Sequence, residues 1–342
     1  MIFGIEYQTI GIIVLWTFLL GYVIVGSIDW GAGFFALYGR ITGRTKDLNQ
    51  LIARYLNPVW EVTNVFFVFF FVGIVGFFPE TAYYYGSTLL IPASISLIIL
   101  SIRGAFYAFE NYGIDSKLSW TILYGLSGLF IPASLSVALV ISEGNYIVEG
   151  ANGHYLDWHS LILSPYAWSV VLLAIISVLY ISSAFLTTYA HIANETRGYS
   201  ILRRWFLMWA GPMIFTCLFV FISLREHNHE HFMNAVNNQL WLFIASFILF
   251  IFATLLYYFK KAHTIAFVCV FLQFSFAWFG YGMSKMPYIL YPYINVNESV
   301  VNPSMALSLT IAFILGLLLL VPSLLLLLKL FVFNKAYVKG MK

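Results

Sequence analysis

Three ionisable residues lie inside apolar stretches of the sequence, where a charge is costly and therefore informative. Asp29 lies within VGSIDWGAGFF, Glu61 within NPVWEVTN and Arg103 within SIRGAFYAFE. An ionised side chain at the centre of a membrane helix costs about 2.5 to 3.5 kcal/mol on insertion scales, and such residues commonly belong to functional sites. Two acids with a base nearby predict a proton path or an ion-binding site inside a membrane.

The two acids are predicted to lie at similar depth below one membrane surface. Asp29 comes roughly ten residues before the end of its apolar stretch and Glu61 roughly ten after the start of the next, which puts both about 15 Å in. Asn57, Glu61 and Asn64 follow i, i+4, i+7 spacing and share one helix face. We therefore predict a narrow polar crevice in which the acids relay protons and Arg103 is a counter-charge.

A structural interpretation of the same residues stays open at this point. Asp29 and Glu61 could be protonated or hydrogen-bonded to backbone and serve only to fix helix packing. Arg103 lies near a helix end, from which a long side chain can reach the membrane interface. The residue types alone do not choose between a proton path and a packing role.

The composition places these residues in a polytopic membrane protein. Of the 342 residues 61% are hydrophobic and 9% are charged, against about a quarter charged in a soluble domain. A span needs about 20 apolar residues, and by that rule we predict about nine helices in one all-α membrane domain, 1–342, with the N-terminal segment kept as the first helix. The predicted spans are 9–38, 52–78, 83–107, 119–142, 163–190, 204–224, 239–259, 264–286 and 304–333.

The predicted spans form two four-helix groups, within 9–142 and 163–286, followed by a ninth helix at 304–333. The stretches GAGFFALYGRITGRT and SSAFLTTYAHIANET, one in each group, are weakly similar and hint at an old duplication. Of the 17 Lys and Arg residues, only Arg225 and Lys285 fall outside one set of alternate loops and the C-terminal tail. The positive-inside rule then predicts an outer N-terminus and a cytoplasmic C-terminus.

Residues that could bind haem or a metal are scarce within the predicted spans. A haem inside a bundle needs axial His, Met, Cys or Tyr ligands, yet every histidine falls in a loop or at the end of a span. Histidines and glutamates cluster only in the loop REHNHEH, a pattern also typical of a solvated loop. We predict that the chain ligates no haem and no metal and has no catalytic residue of its own. No basic stripe suggests nucleic acid.

Several motifs together resemble subunit II of the cytochrome bd quinol oxidases. GYVIVGSIDWGAG is similar to the glycine-rich first helix of that family with its aspartate, and NPVWEVTN, with Trp60, to its Pro-x-Trp motif followed by an acid. SIRGAFYAFE resembles the arginine-containing end of the third helix, GLFIPASL the proline-bearing fourth helix and MPYILYP the exit from the eighth. These motifs occur in the same order along nearly the whole chain.

The resemblance implies a complex in the bacterial cytoplasmic membrane with a homologous subunit I, which holds two b-type haems and the d-type haem and oxidises quinol. It also implies that this chain stabilises subunit I and helps deliver cytoplasmic protons to the oxygen-reducing haem. A small single-helix subunit and a bound quinone or lipid would be compatible with it. Asp29, Glu61 and Asn64 would form the proton path, with Arg103, Trp60 and Asn57 in structural roles.

Two departures from the family pattern affect the predicted route. A second aspartate often precedes the one that matches Asp29, and Gly26 stands there in this sequence; Glu61 stands where many members have aspartate. The path would then use water or Ser27 in place of the missing acid. Two other functions stay open: a proton-coupled transporter with an Asp/Glu/Arg site, and a purely structural subunit.

Overall fold

Long helices dominate the chain because an apolar segment in lipid must satisfy its backbone hydrogen bonds internally. A computed structural model describes residues 7–111, 118–150, 153–297, 303–327 and 329–330, except for the side chains at 54–62, 107–111 and 303. The helices are α1 Tyr7–Ile41, α2 Thr45–Phe77, α3 Glu80–Thr88, α4 Leu90–Asn111, α5 Leu118–Ser142, α6 Trp158–Leu163, α7 Pro165–Ile192, α8 Thr196–His227, α9 His229–Asn238, α10 Leu240–Tyr258, α11 His263–Lys285 and α12 Pro303–Leu327.

Seven of the described helices are long and apolar enough to cross a membrane, and α3 with α4 form a bent pair that would make an eighth. The helix α2 covers the predicted second span, and its described side chains from Thr63 to Phe77 are apolar in composition. An all-α membrane fold is thereby confirmed. The count of nine and the orientation stay predictions, and "outer end" below means the end at which α1 begins.

The predicted span 83–107 is not one straight helix. The chain bends by 77° between α3 and α4, so a continuous helix was the wrong expectation there. Pro92 stands in the first turn of α4 and has no N–H with which to continue a helix from the preceding turn. The helix therefore restarts at Leu90, and α3 lies at an angle to it.

Short elements occupy outer connections that the sequence suggested only as loops. β1 Ile147–Gly150 pairs antiparallel with β2 Gly153–Leu156, and β3 Tyr288–Leu290 pairs antiparallel with β4 Ile294–Asn295. Asp157 caps α6 by accepting hydrogen bonds from the backbone N–H groups of His159 and Ser160, at 3.0 and 3.2 Å. These elements pair backbone polar groups that an irregular loop would leave exposed.

The helices α1 and α7 lie at the centre of the bundle. α1 packs on α2, α5 and α7, while α7 packs on α8, α5 and α11. The two central helices come very close where a Cβ at Gly31 would overlap Ser182, and there the Ser182 hydroxyl donates to the Ile28 carbonyl at 3.1 Å. The helix α12 packs on α1 and α2. This close approach brings the Asp29 segment of α1 into the interior.

Candidate functional site

Asp29 of α1 and Arg103 of α4 form a buried ion pair. Arg103 Nε donates to Asp29 Oδ2 at 3.1 Å, and Nη2 donates to the main-chain oxygen of Asp29 at 2.5 Å. The Arg103 side chain is 3% exposed and that of Asp29 8%. Two charges removed from water to this extent require each other, because either one alone would carry the full cost of desolvation.

The remaining guanidinium protons reach α5. Nη1 donates to the Tyr124 carbonyl at 3.0 Å and to Ser127 Oγ at 3.2 Å, while Nη2 also donates to the Tyr124 hydroxyl at 3.1 Å. The guanidinium carbon lies 4.1 Å from the centroid of the Tyr124 ring, within cation–π range. Arg103 therefore ties α1, α4 and α5 together. Neither Tyr124 nor Ser127 carried a sequence signal, since both are ordinary residues of an apolar helix.

A glycine makes room for this arrangement. A Cβ at Gly33, one turn below Asp29, would lie 2.9 Å from Arg103 Nη1 and 3.0 Å from the Tyr124 carbonyl oxygen. Any larger residue would displace the guanidinium from its acceptors. The small-residue surface of α1 thus admits a charged side chain as well as a neighbouring helix.

The other predicted path residues have different surroundings. Ser27 is buried, and Asn64 is exposed on the surface of α2. The side chains of Asn57, Trp60 and Glu61 lie outside the described residues. The parts of α2 before and after these three residues pack along α1. A Cβ at Gly39 would lie 3.0 Å from Leu48 of α2, and a Cβ at Gly21 would lie 2.6 Å from Phe66 of α2.

A second buried charge cluster lies at the outer end and was missed by the sequence reasoning. Glu143, which directly follows α5, is fully buried. Its carboxylate accepts from the Tyr281 hydroxyl at 2.5 Å and from Asn228 Nδ2 at 3.1 Å, and it lies 2.9 Å from His231 Nδ1 and 3.3 Å from Lys285 Nζ. The cluster therefore joins the end of α5 to α9 and α11.

The partners of Glu143 decide its ionisation. Burial alone would raise the pKa of the carboxyl, but Lys285, His231 and Tyr281 outweigh burial and hold the pKa well below its usual range. The one available sequence signal was Lys285 itself, because it is an exception to the charge asymmetry of the loops. A basic residue on the less basic side of a membrane protein suggests a specific acidic partner nearby.

Three residues that could serve as axial haem ligands are engaged in hydrogen bonds within the chain. His263 Nε2 lies 2.8 Å from the Tyr199 hydroxyl, and His231 bonds Ser284 as well as Glu143. Met213, the buried methionine of α8, accepts a hydrogen bond from Ser177. Within the part of the chain that the structure describes, no three His, Cys, Asp or Glu side chains are grouped to hold a metal ion.

Buried ionic residues within long apolar helices define a multi-pass membrane protein with a polar interior. Comparisons with known proteins then give the family: residues 7–331 match the model of cytochrome bd terminal oxidase subunit II. The chain belongs to that family. It is therefore homologous to a subunit of the cytochrome bd quinol oxidase complex, a respiratory oxidoreductase that contains haem, and subunit II implies a subunit I as partner.

Two relatives agree with this assignment. A chain of the bd oxidase structure from Geobacillus thermodenitrificans is 51% identical, with a TM-score of 0.84, over 96% of this chain and 99% of that one. A Bacillus subtilis (strain 168) protein described as a putative cytochrome bd menaquinol oxidase subunit II is 29% identical over 338 residues, which are 96% of this chain and 97% of the relative.

Proposed function

We propose that this chain stabilises the haem-bearing subunit I and helps conduct cytoplasmic protons towards the haem at which oxygen is reduced. Reduction of oxygen to water consumes protons, so a site sealed inside a membrane needs a polar route to it. The observation that carries the proposal is the buried pair of Asp29 and Arg103, since intramembrane charges of this kind commonly mark proton or ion pathways.

In this proposal the path comprises Asp29, Glu61, Asn64 and Ser27, with Arg103 as counter-charge and Trp60 and Asn57 in structural roles. Leu48 and Phe66 of α2 pack opposite Gly39 and Gly21 of α1. In chain order Glu61 lies between Leu48 and Phe66, and Asp29 lies between Gly21 and Gly39. Ser27 is buried two residues from Asp29. The guanidinium of Arg103 already has acceptors on α1 and α5 and holds the carboxylate of Asp29. We therefore expect Glu61 to be the group that takes up and releases protons.

The rest of the proposed assembly follows from membership of the family. The b-type and d-type haems belong to subunit I, the complex lies in the bacterial cytoplasmic membrane, and a small single-helix subunit, a lipid or a structural quinone could accompany it. The transporter alternative has no comparable support from relatives. In this proposal the chain ligates no haem itself, and its role is packing and proton transfer.

The decisive experiment replaces Glu61 with Gln in the complete complex. We expect oxygen consumption with excess quinol to fall about tenfold or more, because a positioned proton donor typically contributes at least that much. Haem content, read from the reduced-minus-oxidised spectrum, should stay normal. Glu226→Gln, at an exposed position of α8, is the matched control and should leave the rate unchanged. A normal rate in the Glu61 variant would refute the proton-path role.

A further inference from the structure

The hydroxyl group of Tyr22 is buried in the membrane interior without a hydrogen-bond partner among the described residues. Tyr22 is 2% exposed. Its ring packs edge-on against Trp30, with ring centroids 5.4 Å apart. It also packs at a tilt against Phe67 of α2, with centroids 4.8 Å apart. A buried hydroxyl that lacks a partner is destabilising. Two other buried aromatic residues of α1 are Phe18 and Phe35, which carry no hydroxyl, so packing alone would also be satisfied by Phe at position 22.

The unpartnered hydroxyl belongs to the same helix face as Asp29. Tyr22, Gly26 and Asp29 are spaced i, i+4, i+7 on α1, so they follow one another along one side of the helix. At the intervening position a Cβ on Gly26 would already lie 3.0 Å from the Trp30 ring. The phenol therefore lies two turns from Asp29 on this face, towards the outer end, with the Trp30 ring beside the glycine between them.

We propose that Tyr22 is a further relay residue of the proton path, carrying protons onward from the Asp29 region towards subunit I. This inference rests on the proposed function. The phenol oxygen accepts a proton from a water molecule or acid on one side, while its own O–H proton passes to an acceptor on the other. Two O–H bonds exchange roles and the tyrosine ends neutral, as it began. A hydroxyl left open within the protein provides both the donor and the acceptor that this exchange requires.

The test is Tyr22→Phe in the complete complex, which removes one oxygen atom and keeps the ring packing. We expect oxygen consumption to fall about tenfold, equivalent to about 1.4 kcal/mol in the barrier, with normal haem content and a larger solvent deuterium isotope effect. The isotope effect is the readout that a change in packing alone would leave unmoved.

The matched control is Tyr180→Phe. Tyr180 is a fully buried tyrosine of α7 whose hydroxyl donates to Gln273 Oε1 at 3.3 Å and is not among the proposed path residues. This variant should lower thermal stability, because it breaks a made hydrogen bond, and should leave the rate and the isotope effect unchanged.

Each outcome bears on a separate claim. A normal rate and isotope effect in Tyr22→Phe, alongside a slow Glu61→Gln enzyme, would overturn the role of Tyr22 and leave the proposed function standing. Normal behaviour in both variants would overturn both claims. Failure of Tyr22→Phe to assemble would also overturn the relay, since the hydroxyl would then be required for structure.

Discussion

The two halves of the bundle share a plan and differ in charge. Helices α1, α2, α3, α4 and α5 find counterparts in α7, α8, α9, α10 and α11, each half having a short helix before its third long one. The packing repeats as well, since α1 contacts α2 and α5 as α7 contacts α8 and α11, and α4 contacts α5 as α10 contacts α11. The weak sequence similarity within the two halves follows the same correspondence.

Two details support the correspondence of the halves. The turn after α1 uses Gly43 at φ 69°, and the turn after α7 uses Asn194 at φ 60°, the matching position. Gly31 also matches Ser182, and these two positions meet where α1 and α7 approach most closely. Contact between equivalent positions is expected at the axis that relates two similar halves.

The polar interior is where the halves diverge. Under the same correspondence Asp29 of α1 matches Tyr180 of α7. Around Tyr180 the second half uses neutral groups: Tyr180 bonds Gln273, whose backbone oxygen accepts from Ser246 at 2.8 Å. Its charged Arg203, near the start of α8, donates instead to the carbonyls of Tyr257 and Tyr258 at the end of α10. Neutral or apolar groups often replace a buried ion pair without loss of stability. Helix packing alone therefore does not require the pair of Asp29 and Arg103. This contrast supports the proton-path role that we propose for the ion pair of the first half.

The largest effect is expected from Arg103→Met. Asp29 would remain buried without a counter-charge, which costs about 3 to 5 kcal/mol, so we expect little assembled complex in detergent extracts. The double variant Arg103→Met with Asp29→Asn should recover assembly and thermal stability, since it leaves no unpaired charge at this site, but oxygen consumption should remain slow. Normal assembly of the Arg103→Met variant would contradict the claim that the first half depends on a buried ion pair.

A smaller effect is expected at the outer cluster, which joins the two halves. Glu143→Gln leaves Lys285 and His231 without a carboxylate and should lower the free energy of unfolding by about 2 to 3 kcal/mol, measured as a lower melting temperature of the purified complex. Glu230→Gln, at an exposed position of α9, is the control. Equal melting temperatures for the two variants would contradict the joining role of Glu143.

The pH dependence of that cluster has a definite sign. The pKa of Glu143 is lower in the folded protein than the usual value, which is about 4.3 for an unfolded chain. Its contribution to stability is therefore fully present above that value and is lost as pH falls through the folded pKa. Between pH 5 and pH 8, roughly, the difference in stability between wild type and Glu143→Gln should not change because of this group.

The smallest effect tests the repeated turn. Nothing lies within 4 Å of a Cβ built at Gly43, so a substitution there acts through backbone conformation alone. Gly43→Ala should cost about 1 kcal/mol because of its positive φ, whereas Gly43→Asn should cost less, as asparagine tolerates that region. Thermal unfolding of both variants beside Asn194→Gly gives the comparison. Equal costs for Ala and Asn would contradict the equivalence of the two turns.

The sequence by itself determined the class of protein, the family and the charged residues worth attention. Hydropathy and motif order are properties read along the chain, and they are enough to identify membrane helices and a relative. Because hydropathy is read along the chain, it also explains one error. Apolar residues on both sides of Leu89 predicted one helix, whereas the chain bends between the end of α3 and the start of α4.

Only the tertiary structure decided which buried polar groups meet. The chain shows that Arg103 lies in an apolar segment, but the rotation and approach of α1, α4 and α5 select Asp29, Tyr124 and Ser127 as its acceptors. Glu143 looked like a loop charge, because its burial depends on elements far along the sequence. The hydroxyl of Tyr22 likewise gains its meaning from what surrounds it, since the cost of burying a polar group depends on three-dimensional neighbours.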